Sequence, residues 1–428
     1  MYLNIESNTF TYSINESTPE IIMTVTDSSG NEVADISTLN HVIVTGANGD
    51  QVSGYDITNK NGLITLFNNR EITTTSSKEE KWNIKVTFVN YDASQNTNAG
   101  KSMSAKVMIQ KEPIVTTLAS YITNLYTGTQ GENGIYYHDA SLTNGAGDNS
   151  YRFAGASDKV NNYVCFGTNV TPCPTDNLYR IIGVFGDKVK LIKYDYATSA
   201  LLGADGDYSK MYTATGYDSS SYKGNNLANV AGYTWNYKNN TTINRRNGSN
   251  TWSTSLLNKT NLNKNFITNI GADWASKIAE TTWKVGGNTW ANIGTQPAKT
   301  AYQNEIVSPV TTNTTDNATT YSAKVGLMYV SDYMYAAPQD KWTLVGNGSA
   351  TTDYRAATSV NWMYMGLLEW TISRYADDAY RVFIVNGVGS VNYDFANGAL
   401  ALRPVFSLTS SVNYVSGSGT AADPIVIN

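Results

Sequence analysis

Residues 361–407 read NWMYMGLLEWTISRYADDAYRVFIVNGVGSVNYDFANGALALRPVFS. A frame of Trp, Gly, Val and Arg-Pro is interrupted by short runs that mix Tyr, Asp, Asn, Ser and Phe. RVFIV (381–385) and ALALRPV (399–405) read as buried strands, with SVNYDF (390–395) a further strand between them. From Thr371 to the end of the chain there is no Lys, Glu, Gln, Met, Trp, Cys or His. General acid–base and metal chemistry lean on His, Cys, Glu and Lys, whereas recognition surfaces can be built from Tyr, Ser, Asn, Gly and Arg. The stretch therefore predicts a binding surface on rigid β-structure. Trp362, Trp370, Val382, Ile384, Val391 and Arg403 are expected to support it from behind.

Working outward, the 428 residues carry a net charge of -5, with 41% hydrophobic and 15% charged residues. That is enough apolar sequence for two or more domains with their own cores. Asn alone outnumbers Lys and Arg together, and Tyr equals their total of 30. A surface so poor in cations excludes nucleic acid as a partner, since phosphate binding needs clustered Lys and Arg. The pair Arg245-Arg246 reads as a solvated loop. No apolar run approaches the roughly 18–20 residues that span a bilayer, so no membrane insertion is expected. No signal peptide is visible either, and an ectodomain whose leader or anchor lies outside the sequence is expected.

Two cysteines, Cys165 and Cys173, flank a short segment containing Gly167 and Pro172 that can return the chain to disulfide distance. A disulfide is expected, with two unrelated free thiols as the alternative. A zinc site lacks ligands, because His41 and His138 are the only histidines.

Residues 1–113 read as an all-β sandwich. EIIMTVTDSSGNEV, HVIVTGANGDQV, GLITLFNN, KWNIKVTFVNYD and SAKVMIQKE are β-branched runs separated by turn residues, with hairpin turns at 28–31 and 46–49. Pro113 breaks the pattern. Residues 114–127 then place Ile114, Leu118, Ile122 and Leu125 on one face of a linker helix. Residues 128–428 read as an α+β domain. LYRIIGVFGDKVKLIK predicts a hairpin turning at Gly186-Asp187, and TTWKVGGNTW another at Gly286-Gly287. WSTSLLNKTNLNKNFITNI predicts a helix capped by Ser253 or Thr254, and ADWASKIAE a second helix. Residues 296–321 and 345–358 read as loops, GLMYVSDYMYA as a strand, and VNYVSGSGTAADPIVIN as a final hairpin. Trp235, Trp252, Trp274, Trp283 and Trp290 are expected to be buried anchors.

The phrases GENGIYYHD, NLYRIIGVFGDKVKLIK, TWKVGGNTW, VGLMYVSDY and RPVFSLTSSVNYVSGSGT resemble secreted or surface proteins of gut Firmicutes, over about residues 118–428. The 361–407 pattern is also similar to the variable proteins of diversity-generating retroelements. That resemblance implies a C-type-lectin or formylglycine-generating-enzyme-like C-terminal fold. In such systems, mutagenesis of AAY codons cannot yield Lys, Glu, Gln, Met or Trp, consistent with the absences after Trp370. It implies a structural frame of Trp362, Glu369, Trp370, Arg403 and Pro404. Tyr375, Asp377, Asp378, Tyr380, Phe383, Val388, Ser390, Asn392, Tyr393, Asp394, Phe395, Asn397 and Leu400 fall at the variable positions, and the expected ligand-binding surface extends back to Leu367 and Leu368. Met363 and Met365 depart from the rule. KWNIKVTFVNYDASQNTNAGKSMSAKVMIQ resembles the jelly-roll domains of camelysin and TasA-type matrix proteins, which implies that self-assembly through the N-terminal domain is open.

These readings predict an extracellular, cell-surface ligand-binding protein of the adhesin or receptor type, with a protein or glycan as partner. The competing expectation is a fibre or biofilm-matrix subunit. An enzyme is not expected: an oxidase of the formylglycine-generating kind would need cysteines near the C-terminal site, and a fold alone carries no activity. No Gly-x-Ser-x-Gly elbow accompanies His138, which reads as structural. No Glu-Pro-Asn, Gln-Pro-Asp or Trp-Asn-Asp triplet suggests calcium-dependent sugar binding, and DNATTY and TTDYR read as ordinary loops. No cofactor and no metal are therefore expected.

Overall fold

The computed structural model describes the chain except residues 33–35, 37–38, 68–80, 110–115, 214–219, 240–245, 311–317 and 344–358. Pro113, Ile114, TTDYR and the predicted 345–358 loop therefore lie outside the described residues. The chain divides into two compact units, Met1–Ile114 and Val115–Asn428. Both are β-rich, and the second adds short helices.

In the first unit, Tyr2–Asn8 runs between Gly62–Thr65 and Met103–Met108 in a three-stranded antiparallel sheet. A four-stranded antiparallel sheet has the order His41–Thr45, Gln51–Asp56, Ile21–Asp27, Trp82–Phe88. Leu3, Ile5, Met23, Val25, Tyr55 and Ile64 from both sheets bury into one core. The turns at 28–31 and 46–49 form as the residues predict. Gly30 and Gly49 take positive φ there, which glycine adopts without steric penalty.

The second unit is organised around a seven-stranded sheet. Its central strand, Leu178–Phe185, is buried along nearly its whole length, because it pairs with Lys188–Lys193 on one side and with Ser150–Phe153 and Tyr163–Cys165 on the other. The Gly186-Asp187 hairpin is present. Val405–Ser407 joins beside 188–193, and Val325–Gly326 beyond it. Helix Leu118–Asn124 buries Leu118 and Ile122, and Ala272–Ser276 is helical. Tyr414–Ser416 pairs with Val426–Ile427 as the closing hairpin. Cys165 and Cys173 are bonded to each other. Replacing both by serine is expected to lower stability by about 2–3 kcal/mol, the chain-entropy value for so short a loop; denaturant titration checks it, and an unchanged midpoint would refute it.

Four sequence expectations are corrected. Val330–Tyr335 of GLMYVSDYMYA is a helix, because the Asp332 carboxylate accepts from the Tyr329 amide at 3.1 Å and starts a helical turn where a strand pattern was read. Gly286-Gly287 turns no hairpin. Thr281–Lys284 pairs instead with Thr320–Ala323, and the chain after Gly287 crosses to Tyr375, bridging at Asn288. Gly287 has φ +101, and a Cβ there would lie 2.7 Å from the Arg374 guanidinium. Within 296–321, Ala298–Tyr302 is helical and continues as a π-helical turn, Gln303–Val307. The helix after Trp252, a π-helical stretch Leu257–Phe266, is not capped by Ser253 or Thr254. Ser255 Oγ accepts from the Asn258 amide at 3.1 Å, and the buried Asp207 carboxylate accepts from the amides of Leu256 and Leu257 at 3.0 Å each.

Candidate functional site

The 361–407 stretch folds as a three-stranded antiparallel sheet: Glu369–Arg374, Arg381–Val385 and Val391–Phe395. The 386–390 loop sets the register, with Val385 opposite Val391, Phe383 opposite Tyr393 and Arg381 opposite Phe395. Because side chains alternate along strands, Arg381, Phe383, Tyr393 and Phe395 share one face. Between the first two strands the register shifts from Trp370 to Arg374, and Thr371 Oγ1 donates to the Phe383 carbonyl at 2.7 Å.

Arg381 stands at the centre of the face. Its guanidinium carbon lies 4.9 Å from the Tyr393 ring centre, 5.1 Å from Phe395, 5.7 Å from Tyr380 and 5.8 Å from Tyr375. Nη1 approaches Asp378 at 3.3 Å, while Nε is buried without a hydrogen-bond partner among the described residues. Each guanidinium–ring contact contributes roughly 0.5–2 kcal/mol. The rings also pack on one another: Tyr375 on Tyr393 at 4.7 Å, Tyr380 on Phe395 at 5.7 Å, and Trp290 edge-on to Tyr393 at 5.2 Å. Beside them are Asp377 and Asp378, while Asn392 and Asp394 alternate to the opposite face of the strand. Burial raises the Asp394 carboxyl above its ordinary range, and burial together with neighbouring Asp377 pushes the Tyr375 phenol up to about 12.

The loop 375–381 is held by a buried residue distant in sequence. Asn250 Nδ2 donates to the carbonyls of Tyr375, Asp378 and Arg381 at 2.8, 3.0 and 2.9 Å, and its amide donates to the Ala379 carbonyl at 2.9 Å. Asp378 Oδ1 accepts from the amides of Tyr380 and Arg381, closing the turn locally. The Trp290 amide donates to Asp377 at 3.0 Å, and the Ala376 amide to the Asn288 carbonyl at 2.7 Å. Asn250→Ala removes three donated bonds from loop carbonyls. It is expected to cost about 1–3 kcal/mol and to raise amide exchange in 375–381, measured by hydrogen–deuterium exchange; unchanged exchange there would refute the clamp.

Of the fifteen residues expected at the surface, Asp377, Asn392 and Phe395 are exposed, and Leu368, Asp378, Tyr380, Val388, Tyr393, Asp394 and Asn397 are half-buried. Leu367, Tyr375, Phe383, Ser390 and Leu400 are instead buried: Trp290 and Tyr375 pack on Phe383, and Leu367 and Leu400 pack into hydrophobic clusters beneath. The six supporting residues, Trp362, Trp370, Val382, Ile384, Val391 and Arg403, are all buried. Three residues absent from the sequence-based site belong to it: Arg381, Trp290 and Asn250. The first could have been found from the hairpin register. The other two lie about 90 or more residues upstream of the loop and carry no local signal. Of the five expected tryptophan anchors, Trp235, Trp252 and Trp283 are buried, while Trp274 and Trp290 are half-buried.

His138 is buried between Tyr335 and Trp342, with Nδ1 accepting from the Ala146 amide at 3.1 Å. Burial holds its pKa well below the ordinary histidine range. Among the described residues no group of three or more His, Cys, Asp or Glu could hold a metal ion, and no helix is long and apolar enough to cross a membrane. Neither a family model, nor a curated protein, nor a solved structure matches the chain.

Proposed function

We propose that the chain is an extracellular, surface-displayed binding protein whose C-terminal unit presents a diversified face to a protein or glycan ligand. The observation that carries this reading is the cluster of Tyr375, Tyr380, Tyr393 and Phe395 around Arg381, with polar groups beside it and a buried layer behind. Large rings with few rotatable bonds give contact area at low entropic cost, while Asp377 and Asp378 supply directional polar contacts. Backing by the Asn250 clamp lowers the cost of ordering the loop on binding. In this reading the C-terminal unit has a C-type-lectin-like fold, and the N-terminal unit is a jelly-roll stalk. The Cys165–Cys173 disulfide supports an oxidising, extracellular setting. A binding role rather than catalysis is supported by the placement of His138 in an aromatic pocket.

The test is a set of alanine variants screened against glycan arrays and cell surfaces. Tyr380→Ala and Phe395→Ala are expected to cost no more than about 1–2 kcal/mol of stability, the guanidinium and ring contacts that each loses, and to weaken binding by about 30-fold where they act as anchors. Tyr375→Ala is expected to cost about 2–3 kcal/mol, since its ring packs on Phe383. Binding that survives both Tyr380→Ala and Phe395→Ala would place recognition elsewhere.

A second reading, a fibre or matrix subunit, is favoured by the edges of the N-terminal sheets. Met103–Met108 and His41–Thr45 each pair on one side only among the described residues, and Val107 and Ile43 are 53% and 67% exposed. Open edges with apolar side chains can add a strand from another copy. Filaments in negative-stain images of concentrated protein would support this reading, and monodisperse particles would remove it.

A further inference from the structure

A second feature of the C-terminal unit is a cavity of about 230 Å³, lined by none of the fifteen candidate surface residues. It is roomy enough for a small organic molecule rather than one or two waters. Four sequence phrases that the surface reading leaves unused meet there: NLYRIIGVFGDKVKLIK through Lys190, TWKVGGNTW through Trp283, VGLMYVSDY through Asp332 and RPVFSLTSSVNYVSGSGT through Ser407.

A chain of alternating charges runs through the walls. Arg152 Nη2 meets Asp148 at 2.5 Å, Arg152 Nη1 stands 3.8 Å from Asp332, and Lys190 Nζ meets the other Asp332 oxygen at 2.5 Å. Arg152 and Lys190 are both more than nine-tenths buried. Aromatic faces hold the cations in place. The Arg152 guanidinium lies over Phe185 and Tyr302 at 4.7 and 5.3 Å, and the Lys190 ammonium over Tyr329, Phe185 and Trp283 at 4.8, 5.4 and 5.8 Å.

The bonding is incomplete on the cationic side. Arg152 Nε donates to Ser150 Oγ and Nη2 to Asp148, but Nη1 lies beyond hydrogen-bond distance of Asp332. Lys190 has three N–H donors and gives one to Asp332. Asp148 and Asp332 balance the charges of Arg152 and Lys190 but do not use all their N–H donors. The cavity thus has spare donors from buried cations and walls of Phe185, Trp283, Tyr302 and Tyr329. Such a site selects an anion with an apolar body, because a carboxylate takes up the spare donors while a ring replaces water against the aromatic walls.

We propose that this cavity is a binding site for a small ring-bearing carboxylate. Titration calorimetry and saturation-transfer NMR on the full chain, with benzoate, benzamide and benzylammonium as probes, test it. Benzoate is expected to bind at least about tenfold more tightly than benzamide, a difference of one favourable charged contact, and benzylammonium not at all. Ile306→Trp, which places an indole in the cavity, is expected to abolish benzoate binding, and Thr282→Trp, at an exposed lining position, to weaken it at least about fivefold. Benzamide or benzylammonium binding as tightly as benzoate would overturn the proposal, as would no benzoate binding up to about 10 mM or full binding by a folded Ile306→Trp variant. If that variant does not fold, Thr282→Trp decides, and unchanged benzoate affinity refutes the site.

Discussion

Replacing Glu369 by alanine is expected to destabilise the C-terminal unit by about 3–5 kcal/mol, the cost of leaving one member of a buried ion pair uncompensated. Glu369 and Arg403 are both almost fully buried, and their contact is bidentate, Nε to Oε1 at 2.7 Å and Nη2 to Oε2 at 2.9 Å. Arg403 Nη2 also donates to the Met363 carbonyl at 2.7 Å. Burial opposes the charge of Arg403, but the Glu369 carboxylate holds the guanidinium above its ordinary pKa. The pair joins the 369–374 strand to the segment that enters the seven-stranded sheet at Val405. Its loss therefore loosens the seat of the candidate binding face as well as lowering stability. Urea titration followed by tryptophan fluorescence measures the cost. The double variant Glu369→Leu/Arg403→Met removes both charges and is expected to recover most of it. A single-variant cost below about 1 kcal/mol, the range of an exposed pair, would refute the assignment.

Trp370→Ala is expected to cost about 3–5 kcal/mol through the cavity it leaves. The indole is fully buried, its Nε1 donates to the Tyr233 carbonyl at 2.8 Å, and its amide donates to the Ala401 carbonyl at 3.0 Å. The substitution therefore also removes one of the two hydrogen bonds that the buried Tyr233 carbonyl accepts, the other coming from the Leu400 amide. Tyr380→Ala, ten residues along the same segment, serves as the internal control, since Tyr380 is half-buried and faces Arg381 and Phe395. Chemical denaturation of the two variants side by side should show a large shift of midpoint for Trp370→Ala and a clearly smaller one for Tyr380→Ala. Similar shifts in both would mean that the frame and the variable positions are not energetically distinct, and the division of this segment into support and surface would fail.

Much of the β-structure was legible because its signals are local. RVFIV and the alternating VNYDF carry their own period, Gly186-Asp187 its own turn chemistry, and Cys165 and Cys173 lie close enough along the chain to meet. The misreadings occurred where a distant partner outweighed a local pattern. VSDYMY looks like a strand until Asp332 is seen to cap it while also pairing with Lys190, 142 residues away. TTWKVGGNTW looks like a hairpin until its strand finds Thr320–Ala323 and its Gly287 makes room for Arg374. Phe383 sits among variable-looking positions and on the same face as Arg381 and Tyr393, yet Trp290 and Tyr375 cover it.

The sequence by itself determined that residues 361–407 would combine apolar strands with connecting segments rich in Tyr, Asp and Asn, and that Trp362, Trp370 and Arg403 would belong to the frame. Those properties reside in composition and period. Only the tertiary structure decided which rings meet. Arg381 takes its place among Tyr375, Tyr380, Tyr393 and Phe395 through the hairpin register, and Trp290 and Asn250 reach the same loop from far upstream. Hydrogen bonds and ring contacts act over a few ångströms, while Trp290 and Asn250 are separated from that loop by more than 80 positions in the chain, so no local pattern could have announced those two.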